Sequence, residues 1–96
     1  MDPRLRDKLR DIFNKHDPEG IFFGKELNYD EYDPEIEWVV REFPNCKSIN
    51  EFREKVHMIF DSMFYVDQTG TRKKFEIVIA DEAYELLSQE NTIKKS

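Results

Sequence analysis

A single cysteine, Cys46, three glycines and four prolines are all that 96 residues hold of the usual staples and hinges. One cysteine cannot close a disulfide within the chain, so the fold must stand on its core, and a reducing cytoplasm is the expected compartment. With only Gly20, Gly24 and Gly70, and no Gly-Lys-Ser/Thr, a phosphate-cradling glycine loop is excluded. No apolar run approaches the length of a membrane span, and "MDPRLRDKLR" lacks the apolar stretch of a secretory signal; no membrane partner is expected. No Gly-x-Ser-x-Gly elbow or His-Glu-x-x-His pair occurs.

What is present is apolar mass and charge. Hydrophobic residues make up 39% of the chain, eight of them Phe, enough for one domain of this length even though 38% is charged. The net charge is −6, and its distribution is uneven. Residues 17–42 hold nine acids against Lys25 and Arg41, a net −7, while the rest of the chain is close to neutral. Such a segment repels nucleic acid and anionic lipid and attracts a basic surface. Arg4, Arg6, Lys8, Arg10 and Lys15 are interleaved with Asp2, Asp7 and Asp11, the pattern of a solvated helix rather than a phosphate-binding one.

Helix signals follow in order. Asp2 and Pro3 form an N-cap and first-turn pair, and Leu5, Leu9, Ile12, Phe13 and His16 share one helix face. "DPEGIFFGKELN" reads as a loop, with Phe22 and Phe23 expected to plug the core. In "DPEIEWVVREF", Asp33 is the expected N-cap, Glu35 and Glu37 suit the positive end of the helix dipole, and Ile36, Val39, Val40 and Phe43 form the buried stripe up to Pro44. Ser48 and Glu51 stand as a capping box, Glu51 and Lys55 as an i,i+4 pair, and Phe52, Val56, Ile59, Phe60 and Met63 as the apolar face of a third helix. "KKFEIVIADEAYELL" suits one long helix through Phe75, Ile79, Ala83, Leu86 and Leu87, or a strand through Phe75, Ile77 and Ile79 paired with "MFYVD". The expected fold is mainly α: a compact bundle of about four short helices, with a β-hairpin as the alternative for the C-terminal third and a frayed tail over 90–96.

The chemistry is sparse. A Cys/His nucleophile would have to be built from Cys46 with His16 or His57, and nothing in the local pattern supports it. His57 on the third helix reads as a half-buried or surface imidazole. Neither Asp30 nor Asp67 opens a calcium loop: after Asp30 the alternate positions are Tyr32 and Pro34, and after Asp67 they are Thr69 and Thr71 with no closing Glu. No catalytic residue, metal site or cofactor is expected, and a small metal-dependent hydrolase is the third-ranked reading.

"DPEG" at 17–20, "DEYDPEI" at 30–36 and "HMIFDSMF" at 57–64 resemble the YugE-like family of small bacterial proteins of unknown function, over residues 17–64, with a longer spacer here between the first two motifs. The resemblance implies a compact, mainly helical protein without an established enzyme activity. Its similarity to products of genes beside bacterial toxin genes suggests an immunity role. Separately, an acidic face can occlude the basic groove of a nuclease-like toxin domain. The expected partner-binding residues are Glu26, Tyr29, Asp30, Glu31, Tyr32, Glu37 and Trp38, aromatics as anchors and carboxylates as steering charges. A housekeeping interaction module or self-associating helical protein is the alternative, and the oligomeric state is left open.

Overall fold

Asp2 opens the first helix as the sequence requires: its carboxylate accepts the backbone N–H of Arg4 at 3.0 Å and Pro3 occupies the first helical position. In the computed structural model of the chain, residues 2–17, 29–64, 70 and 72–95 are described, residues 91–95 by their backbone alone. Helix α1 runs Pro3–His16 and ends where Asp17 takes a left-handed conformation (φ 41°), its N–H returning to the Phe13 carbonyl at 2.8 Å. Asp tolerates that conformation better than most residues, and Pro18 cannot extend the helix. The Phe22 and Phe23 plug lies outside the described residues.

Helix α2, Asp33–Glu42, begins one residue earlier than its sequence signals imply. Tyr32 is the N-cap and makes no side-chain cap bond; Asp33, expected to cap, is the first helical residue. Its carboxylate is held instead by Arg10 of α1, which donates Nε to Oδ1 at 2.8 Å and Nη2 to Oδ2 at 2.6 Å. Two charge-assisted bonds in fork geometry to a guanidinium outweigh a single bond from a backbone N–H. A short 3-10 turn, Phe43–Asn45, follows around Pro44.

Helix α3, Ile49–Met63, is capped by Ser48, whose hydroxyl accepts the Glu51 N–H at 3.2 Å. Glu51 reaches back past Ser48 to the Lys47 N–H at 2.9 Å. Lys55 leaves its expected i,i+4 partner for Glu42 of α2, 3.9 Å away. Phe52, Val56, Ile59 and Phe60 are fully buried, whereas Met63, on the same nominal face, is exposed.

Helix α4, Lys73–Lys95, decides the ambiguous third of the chain. Ile79, Ala80, Ala83 and Leu87 face the core, and Ile77, which a strand would place beside Ile79, is turned outward. No strand forms among the described residues. Gly70 precedes the helix with φ 74°, the conformation glycine adopts without penalty. The rest of the proposed turn, and the side chains of the expected frayed tail, lie outside the described residues.

The core holds two aromatic groups. Phe13, Tyr32, Phe60 and Phe64 join α1, the turn before α2 and α3, with ring centroids 5.8–6.3 Å apart. Phe43, Phe52 and Tyr84 join the 3-10 turn after α2 to α3 and α4 at 5.5–5.7 Å. Contacts of this kind add roughly 0.5–1.5 kcal/mol each beyond the area they bury. At the rim, Lys15 and His16 of α1 reach Glu82 of α4 at 3.0 and 3.1 Å. Burial works to raise the Glu82 carboxyl, but bonds from both bases outweigh it and hold the group below its ordinary range.

Candidate functional site

Of the seven residues expected to meet a partner, Glu26 lies outside the described residues, and the others divide by depth. Tyr32 is fully buried: its ring packs on Phe13, Phe60 and Phe64, and its hydroxyl donates to Asp17 Oδ1 at 2.7 Å. It is a core residue and is withdrawn as a partner anchor, because a turn that enters α2 must bury something and Tyr32 is the aromatic at that point. Trp38 is half-buried, packed against the same core.

Tyr29 is half-buried and locked. Its hydroxyl lies 3.0 Å from Asp11 Oδ1 and 3.1 Å from the Asp7 carbonyl, its own carbonyl accepts Asn14 Nδ2 at 2.9 Å, and the Arg10 guanidinium lies over its ring, 5.2 Å from the centroid. Burial, then the bond to Asp11, pushes the phenol up to about 12.

Three carboxylates of the acidic segment are paired with cations from other helices. Asp33 is held by Arg10, Glu37 by Arg6 at 3.1 Å and Glu42 by Lys55, while Glu35 is buried. Arg6 and Arg10, two of the basic residues of α1 that read as a solvated face, are thus counter-charges of α2. Asp33 in turn holds the Arg10 guanidinium above its ordinary range. Asp30 and Glu31 remain exposed on the turn before α2, in no ion pair among the described residues.

The nucleophile candidates are not poised. Burial pushes the Cys46 thiol above its ordinary value in spite of nearby Lys55, and the thiol donates to the Glu42 carbonyl at 3.5 Å. A raised thiol keeps the reactive thiolate scarce.

A second cluster escaped the sequence reading. His57 and Asp61, one turn apart on α3, face Glu76 of α4 and Arg72 just before it. His57 Nδ1 lies 2.6 Å from Glu76 Oε1, and His57 Nε2 lies 3.2 Å from Asp61 Oδ2. Arg72, itself buried, donates Nε to Glu76 Oε2 at 2.6 Å and Nη2 to Asp61 Oδ1. The i,i+4 spacings His57/Asp61 and Arg72/Glu76 were visible in the sequence; that antiparallel packing of α3 on α4 superposes them was not. A groove of about 360 Å³ beside the cluster is lined by His57 and Glu76 with Glu54, Lys73 and Ile77. At its edge Arg53 and Asp81 form a two-bond pair at 2.7 and 2.9 Å.

No helix among the described residues is long and apolar enough to cross a membrane. No family model matches this chain, and neither does any curated protein or solved structure.

Proposed function

We propose that this chain is a non-enzymatic protein-binding module whose acidic turn docks a basic partner, in the manner of an immunity protein covering a nuclease-like toxin domain. The observation that carries the reading is the pair Asp30 and Glu31, exposed and in no ion pair among the described residues, on a turn fixed from both sides by Tyr29 and Tyr32. A fixed carboxylate pair presents its charge without first being ordered, which lowers the entropy lost on binding. Glu37 and Trp38 extend the surface along α2, with Arg6 sharing the Glu37 charge. Tyr29 contributes by holding the turn rather than by reaching out. Nucleic acid is not a partner in this reading, because the same carboxylates repel phosphate. A place in the cytoplasm belongs to the same proposal, since the lone Cys46 forms no staple within the chain.

The test is capture of soluble partners from native cytosol at low and high salt, followed by stopped-flow association with the purified partner. A basic partner lost at high salt is expected. Asp30→Lys with Glu31→Lys should slow its association by about tenfold or more while the thermal midpoint barely moves. A partner that binds the double variant as fast as the parent would sink the reading.

A further inference from the structure

The His57 cluster sets one imidazole and one guanidinium between the same two carboxylates. Asp61 and Glu76 each divide their oxygens: one oxygen of each goes to Arg72, and the other faces a nitrogen of His57. A neutral imidazole carries a single N–H. Placed on Nδ1, that proton makes the shorter contact, 2.6 Å to fully buried Glu76. With the ring neutral, Nε2 then turns its lone pair to Asp61 Oδ2 at 3.2 Å, a gap that either a proton or a metal ion fills. Two carboxylates against one guanidinium also leave the cluster one negative charge in excess. Nε2 and Oδ2 thus face one another across a space that takes one positive centre, a proton or a metal ion.

The geometry suits a metal ion there. Donors roughly 2.0–2.2 Å from a common ion stand about 2.8–3.1 Å apart at octahedral angles and about 3.3–3.6 Å apart at tetrahedral ones, and 3.2 Å lies between the two. A metal-binding imidazole ordinarily donates its other ring N–H to a carboxylate, which fixes tautomer and ring orientation, and Glu76 stands in that place. Arg72 holds the far oxygens of both carboxylates, so the near ones are fixed in direction. The side chains of His57 and Asp61 are 38% and 24% exposed, so an ion can reach them and water can complete its coordination.

We propose that His57 Nε2 and Asp61 Oδ2 bind a divalent transition-metal ion of the zinc class, with Glu76 and Arg72 as positioning residues. An imidazole in a site of two protein ligands favours zinc, cobalt or nickel over magnesium and calcium. The other imidazole beside a carboxylate, His16 at 3.1 Å from Glu82 Oε2, serves as the comparison: Lys15 already neutralises Glu82, and no second carboxylate faces the His16 ring among the described residues.

The experiment is titration of the full chain with Zn²⁺, and with Co²⁺ as a spectroscopic probe, in chelator-treated buffer at neutral pH. One equivalent should bind. Asp61→Asn and His57→Gln should each weaken uptake at least about tenfold, with helix content checked by circular dichroism, whereas His16→Gln should leave it unchanged. Nitrogen-15 spectra of the parent chain give a readout that needs no variant: adding Zn²⁺ should shift His57 Nε2 while Nδ1 keeps its proton. No uptake by the folded parent, uptake that survives both ligand variants, or a His57 Nε2 that holds a proton and ignores excess Zn²⁺ would each overturn the proposal, the last by showing that a proton fills the gap.

Discussion

At the scale of single residues, Tyr29 and Tyr32 show how much three positions can change. Tyr32 enters the core entirely; Tyr29 lies across α1 with its hydroxyl bonded to Asp11. Because burial and that bond hold the Tyr29 phenol up to about 12, the folded chain keeps its proton where the unfolded chain, with an ordinary value near 10, gives it up. The stability this contributes is complete below about pH 10 and is lost as pH rises from about 10 to about 12. Ultraviolet absorbance titration should show a tyrosine component near pH 12 that is missing in Tyr29→Phe. A component that persists in the variant would refute the assignment. None of this was legible in "NYDEY", where both tyrosines look equally suited to a surface, since depth depends on how α1 lies against the turn.

At the scale of elements, the chain announced its helices more clearly than their partners. Asp2 with Pro3, Pro44 and Ser48 mark boundaries by local chemistry, and local chemistry survives folding. Ser48→Ala should destabilise the protein by about 1 kcal/mol, read by denaturant unfolding, because the Glu51 N–H loses its acceptor at the start of α3. Asp33 and Lys55 failed as local residues for a common reason: each side chain could reach either a neighbour on its own helix or a charge on another, and the tertiary partner won. For α4 the apolar spacing fitted two periods at once. Burial of Ile79, Ala83 and Leu87 on one face of a helix resolved it, and the charged pair of Arg53 with Asp81 fixes that helix along α3.

At the scale of the molecule, α1, the turn before α2, and α3 share one aromatic centre. Phe60 touches Phe13, Tyr32 and Phe64 and carries the Arg72 guanidinium over its ring at 5.9 Å. Phe60→Ala should cost about 3–5 kcal/mol in chemical denaturation, a large share of the stability of a domain this size. The net charge of residues 17–42 was plain in the sequence, but the pairing of Glu37 and Asp33 was not, because Arg6 and Arg10 meet those acids across more than twenty residues. The candidate metal cluster was hidden for the same reason, its four members being drawn from two elements. The pairing of α1 with α2 also sets a trade-off for sequence drift. Replacing Arg6 or Arg10 uncovers another carboxylate and deepens the negative potential of that face, yet it loosens the contact that holds the face in place. Selection acting on the outward field and selection acting on the fold therefore pull the same two arginines in opposite directions.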